Sequence, residues 1–157
     1  MLHLEFNSDS ENEGIARIVT AAYIMKFDPD MEEMDDIKTA VSEAVTNCIV
    51  HAYHDPDGKI SMDLSDQNGI LRIEIKDQGI GIPDVKKAME PMFTTKPEDD
   101  RSGMGFSFME AFMDEVKVTS QVGKGTHFGL ERLEGFMRRF YRVRGVDGCL
   151  LYTSPSP

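Results

Sequence analysis

Glu43, Asn47 and His51 recur at four-residue intervals in this 157-residue chain, a spacing that lines all three along one stripe of an α-helix. A carboxylate one turn away from an amide is a usable pair. The amide oxygen can give Mg²⁺ a neutral ligand while the carboxylate accepts a proton or orients a water. Further on, Asp77-Gln78-Gly79-Ile80-Gly81 follows a predicted strand. An acidic group at a strand end can accept from an exocyclic amine, as on adenine, and the glycines let the backbone come close to a planar ring. Arg101-Ser102-Gly103-Met104-Gly105-Phe106 then opens a predicted helix, whose free N–H groups and positive dipole end suit an anion or phosphate. Between these motifs runs a loop containing Pro91-Met92-Phe93-Thr94-Thr95-Lys96-Pro97, long enough to be a lid or disordered. Lys96 and Arg101 bracket its acidic end, and both suit phosphate contact. Taken singly, each feature also has an ordinary explanation: a solvated helix face, a turn that needs glycine, a surface lysine.

The elements that must position these residues follow from hydrophobic spacing. Leu2, Leu4 and Phe6 alternate with polar residues as in a short strand. Capping chemistry at Ser8-Asp9-Ser10 precedes a helix over roughly 11–26, with Ile15, Ile18, Val19 and Ala22 as its expected apolar stripe and Arg17 outside it. After Asp28-Pro29, a longer helix over about 30–53 buries Met34, Ile37, Val41, Val45, Cys48 and Ala52. Asp55-Pro56-Asp57-Gly58 is turn chemistry, and two strands follow near 59–65 and 70–76, joined at Asn68-Gly69. A short helical piece near 83–89, a helix near 104–113, a strand near 115–121 and a partner strand from about 124 complete the pattern. Hairpin-paired strands with helices gathered separately read as an α+β sandwich.

Composition narrows the function classes. The chain is 40% hydrophobic and 29% charged, with 17 basic against 28 acidic residues and a net charge of −11. Such a surface does not track a phosphate backbone, so direct nucleic-acid binding is not expected. Two cysteines make neither a disulfide framework nor a cysteine-built metal site. No apolar run approaches the roughly 20 residues of a membrane span, and the N-terminus does not read as a signal peptide. A cytoplasmic single domain without membrane contact is the expectation. Residues 127–157 differ in character: all five basic residues there are arginines, and the chain ends in CLLYTSPSP. They are expected to form an atypical tail, disordered or foreign to the native reading frame, with the ordered domain over 1–126 and its last strand ending by about 130.

Glu-x-x-x-Asn on a helix, Asp-x-Gly-x-Gly after a strand, a lid, and Gly-x-Gly opening a helix, in this order, resemble the GHKL ATPase family. Within it, Ser42-Glu43-Ala44-Val45-Thr46-Asn47, the segment 91–97 and the run 101–106 resemble the anti-sigma F factors of endospore-forming bacteria, small serine kinases of that superfamily. The likeness covers about residues 2–126. It implies the Bergerat fold: a two-layer α/β sandwich with a mixed, mostly antiparallel sheet and helices on one face.

By that resemblance, Asp77 hydrogen-bonds the adenine amino group of ATP or ADP, Gly79 and Gly81 shape the pocket beside it, and Asn47 ligates Mg²⁺. Glu43 is the general base on the serine hydroxyl of a protein substrate, and His51 lies near the nucleotide. Thr94, Thr95 and Lys96 belong to the lid, and Arg101, Ser102, Gly103, Met104, Gly105 and Phe106 close over the phosphates. The implied partners are a sporulation sigma factor, which is bound and silenced, and a STAS-fold anti-anti-sigma factor, which is phosphorylated. Arg17 matches a partner-contacting arginine, and a homodimer is implied. Two other readings stand beside this one. The ATP-binding domain of a sensor histidine kinase would want an upstream phosphoacceptor histidine or a membrane segment. A module that binds ATP without catalysis has no need of Glu43.

Overall fold

The computed structural model describes residues 1–90 and 105–132. Five strands form one sheet: β1 (Leu2–Asn7), β2 (Lys59–Gln67), β3 (Ile70–Asp77), β4 (Glu115–Gln121) and β5 (Gly125–Arg132), in the order β1-β2-β3-β5-β4. All four pairings are antiparallel. The sheet is therefore not mixed among the described residues, which corrects the sequence expectation on that point. The Asn68-Gly69 signal holds: both residues have positive φ (54° and 81°), as the tight turn between β2 and β3 demands.

The helices α1 (Glu11–Ile24) and α2 (Met31–Asn47) pack together over one face of the sheet. Asp30 starts α2 through a reciprocal cap. Its side chain accepts from the Glu33 N–H at 2.8 Å, while the Glu33 carboxylate accepts from the Asp30 N–H at 2.9 Å. From α2, Ile37, Val41 and Val45, and just past its end Cys48, point inward at 0% exposure, as their spacing predicts. They meet Ile60, Met62 and Leu64 of β2, Ile73 and Ile75 of β3, and Phe128 and Leu130 of β5, none more than 1% exposed. β5 thus completes the sheet to Arg132, pairing Phe128 with Ile75 on one side and Val118 on the other. The helix-free face carries cross-strand polar pairs instead: His3–Asp63 at 2.6 Å, Arg72–Glu131 at 2.8 Å and His127–Glu74 at 3.0 Å.

The buried stripe of α1 differs from the one its aliphatic residues predict. Ala16, Thr20 and Ile24 face the core, while Ile15 and Ile18 are 50% and 69% exposed. Small side chains let α1 lie close against its neighbours, and the Thr20 hydroxyl satisfies itself on the Ala16 carbonyl at 2.8 Å. α1 then ends in one 3₁₀ turn, Met25–Phe27, and Phe27 plugs the core at 1% exposure.

Beyond Asn47, α2 does not continue as an α-helix to residue 53. It widens into a π-helical turn, Cys48–Ala52, a feature common at functional sites. Two short helices, α3 (Val85–Ala88) and α4 (Gly105–Phe112), flank the end of the sheet where β3 finishes.

Candidate functional site

A cleft of about 660 Å³ opens between the C-terminal end of α2, its π turn, the segment after β3, the start of α4 and the end of β5. Glu43, Asn47, His51, Asp77, Gly81, Gly105 and Phe106, all singled out from the sequence, line it. His51 stays on the same side as Glu43 and Asn47 despite the widened turn. Ile80, Ile82, Val122 and Phe128 give the cleft an apolar middle, the usual make-up of a small-molecule site.

Asp77, the last residue of β3, is 6% exposed. Its Oδ1 accepts from the Gly79 N–H at 2.9 Å and from the Thr126 N–H at 3.2 Å. Burial pushes its carboxyl above the usual range, against these two backbone donors and a hydrogen bond from the Cys48 thiol, which pull it down. The two amides hold the carboxylate in one orientation toward the cleft, as a fixed acceptor.

Glu43 and Asn47 present the second polar feature. Among the described residues Asn47 Nδ2 is buried with no hydrogen-bond partner, a costly state for a donor that an incoming acceptor oxygen relieves. Gly105 opens α4 directly against this pair. A Cβ built there would lie 2.8 Å from Glu43 Oε2 and 3.7 Å from Asn47 Nδ2. The absent side chain therefore keeps the space above the two polar groups open. Among the described residues no three His, Cys, Asp or Glu side chains group as a metal cage. A cation here would take ligands from Asn47 and from the bound molecule, the usual way Mg²⁺ is held beside phosphates.

The two glycines after Asp77 do different work. Gly79 is not part of the cleft lining; its Cβ position lies 2.2 Å from the Ala52 carbonyl oxygen, so glycine is needed for the β3 exit to pack on the π turn. Gly81 does line the cleft, at φ +77°, with its Cβ position 2.3 Å from the Gln121 carbonyl oxygen. Replacing Gly81 with alanine meets strain and a backbone clash together. We expect a loss of about 2 kcal/mol or more, read by urea unfolding at constant m-value.

Arg17 lies apart from the cleft lining, on α1, with Nε 3.7 Å from Glu13 Oε1. Glu13 in turn accepts from the Ser42 hydroxyl of α2. Thr94, Thr95, Lys96, Arg101, Ser102, Gly103 and Met104 lie outside the described residues. Residue patterns did not single out Thr126 or Cys48. Thr126 contributes a backbone N–H from 49 residues away, which no side-chain motif announces. Cys48 reads only as a core position in the apolar stripe.

The family described as "Histidine kinase-like ATPase domain" matches residues 6–130. The chain is 51% identical over 132 residues to the anti-sigma F factor of Geobacillus kaustophilus, covering 83% of this chain and 90% of that one. It is 53% identical over 126 residues to that of Caldanaerobacter subterraneus subsp. tengcongensis (80% and 88%). With that of Clostridium acetobutylicum it shares 49% over 125 residues (80% and 87%). Among solved structures, the RsbU and RsbW domains of a Mycobacterium tuberculosis protein superpose with a TM-score of 0.57 at 18% identity, over 83% of this chain and 31% of that one. The catalytic domain of histidine kinase ThkA superposes with a TM-score of 0.54 at 21% identity, over 85% and 96%. Both share the fold.

Proposed function

Because this chain belongs to the histidine kinase-like ATPase family and, within it, to the anti-sigma F factors, we propose that it is an ATP-dependent protein serine kinase. In this reading it also binds and silences a sporulation sigma factor in the cytoplasm. The observation that carries the kinase reading is the meeting of Glu43, Asn47 and Gly105 at one point of a cleft that also holds the fixed acceptor Asp77.

Asp77 accepts from the exocyclic amine of adenine, and the apolar middle of the cleft covers the ring. Asn47 offers its amide oxygen to Mg²⁺, which when bound supplies charge neutralisation along the phosphates. The open space at Gly105 fits that assignment, and the unpaired Asn47 N–H donor suits a phosphate oxygen beside the ion. Glu43 takes the proton of a serine hydroxyl as its oxygen bonds to the γ-phosphorus. The bond to the β,γ-bridging oxygen breaks, and ADP leaves. His51 lies on the nucleotide side of the same helix stripe. By family resemblance Thr94, Thr95 and Lys96 are assigned to the lid and Arg101, Ser102, Gly103 and Met104 to the phosphates, all outside the described residues.

The protein substrate in this reading is a STAS-fold anti-anti-sigma factor. The acidic chain, net −11, suits partners with basic patches, since opposite charge steers association. On α1, Arg17 offers a cationic contact, and the exposed Ile15 and Ile18 with Met25, 63% exposed, offer apolar area for a partner or a second copy. Among the described residues no helix is long and apolar enough to cross a membrane.

The test is the intact mass of a cognate STAS-fold protein after incubation with this chain and Mg-ATP. One phosphate added on serine, absent with the Glu43→Ala variant, is the expected result. No transfer by a chain that binds ATP would reduce the reading to a nucleotide-dependent binder.

Nucleotide affinity carries a pH signature as well. Burial raises the Asp77 pKa above the ordinary value of 3.8. Folding thus disfavours the ionised form, and this cost to stability is present above the folded pKa and fades as pH falls below it. An amine donor favours the ionised form, so ATP binding lowers that pKa and expels a proton. ATP affinity is expected to weaken on acidification at a pH above the ordinary aspartate range. Calorimetric titrations across pH, in buffers of different ionisation enthalpy, read both the affinity and the proton.

A further inference from the structure

Tyr53 follows the π turn in an extended conformation, φ −124° and ψ 151°. Its ring lies over Gly58, where a Cβ would come within 2.2 Å of the ring. Its hydroxyl makes two bonds in opposite directions. It donates to the Lys59 carbonyl at 2.5 Å and accepts from the Gln78 N–H at 2.7 Å. Lys59 is the first residue of β2, and Gln78 is the residue directly after Asp77 at the end of β3. Ile60 and Asp77 are the last paired residues of the β2–β3 ladder, so the hydroxyl takes over where the ladder stops. Two residues further, the Ile80 N–H donates to the Ala52 carbonyl at 3.0 Å. The segment leaving Asp77 is thereby tied twice to the turn that ends the helix bearing Asn47.

We propose that the Tyr53 hydroxyl is a positioning residue for base recognition: by fixing the Gln78 peptide it sets where the Asp77 carboxylate meets the base of a bound nucleotide. It touches no reacting atom and acts only through Asp77. This rests on the nucleotide-binding reading above. Gln78 adjoins Asp77, which the proposed reading sets at the base, whereas Glu43 and Asn47 stand at the phosphates, so loss of the hydroxyl bears on the base end of the ligand.

Tyr53→Phe tests it, because the ring stays packed on Gly58 while the hydroxyl is lost. Affinities for ATP and for inosine triphosphate, which has a carbonyl in place of adenine's amine, are measured by competition with Mg²⁺ present. The expected result is a roughly three- to ten-fold loss for ATP, an unchanged affinity for inosine triphosphate, and a discrimination ratio reduced by the same factor. In the phosphotransfer assay KM for ATP rises and kcat at saturation holds. Equal weakening of both nucleotides would reduce Tyr53 to a support of the fold, and an unchanged ATP affinity would remove its role. Either outcome overturns this proposal and leaves the nucleotide reading standing. A wild-type chain that binds no ATP would overturn both.

Discussion

On the proposed kinase reading, Glu43→Gln is expected to lower phosphoryl transfer by about 10²–10⁴-fold and to leave Mg-dependent ATP affinity within about twofold of wild type. Glutamine keeps the shape of the side chain against Gly105, whose Cβ position lies 2.8 Å from Glu43 Oε2, so neither the cleft nor the packing of α4 changes. What is lost is the ability to take a proton. Single-turnover assays with a STAS-fold substrate, run beside equilibrium ATP binding, separate the two quantities. A variant that transfers phosphate at the wild-type rate would remove Glu43 as the base. One that also stops binding ATP would move its role from proton acceptance to ligand binding.

Asn47→Ala acts one turn further along the same stripe and is expected to give the complementary pattern. ATP affinity in Mg²⁺ is expected to fall by at least roughly 100-fold, the scale seen when a metal site loses part of its coordination. In the presence of a chelator, wild type and variant converge. Folding stability is expected not to fall with it, because among the described residues Asn47 Nδ2 is buried without a partner, and deleting an unsatisfied donor is neutral or stabilising. Denaturant midpoints taken beside the binding titrations read this trade directly. Retained Mg-dependent affinity in the variant would take Asn47 out of the metal role.

The sequence was legible wherever a residue acts through its own side chain in a regular element. The stripe of α2 reads correctly because its core positions are bulky aliphatics at helical spacing, and Asn68-Gly69 because few other residues accept positive φ. α1 reads poorly for the converse reason. Its contact face is built on Ala16 and Thr20, which hydrophobic spacing ranks below Ile15 and Ile18. The π turn after Asn47 was hidden because its residues also satisfy an α-helical pattern. In the cleft, Glu43, Asn47, Asp77 and Gly81 are legible as residue types at motif spacing. Thr126 and Tyr53 are not, since they act through a backbone N–H and a hydroxyl on distant main-chain atoms, and only the pairing of β3 with β5 and β2 brings those together.

That strand order has a consequence for how the chain acquires its structure. β2 with β3 and β4 with β5 are local hairpins, which close quickly because little loop entropy is lost. β3 and β5 must find each other across about 50 residues of chain, and the Thr126 N–H to Asp77 bond sits on that seam. The acceptor proposed to meet the base is thus finished only where the two hairpins join. A nucleotide bound there would favour the joined form by mass action, so on the proposed reading the ligand would hold the two hairpins of the sheet together.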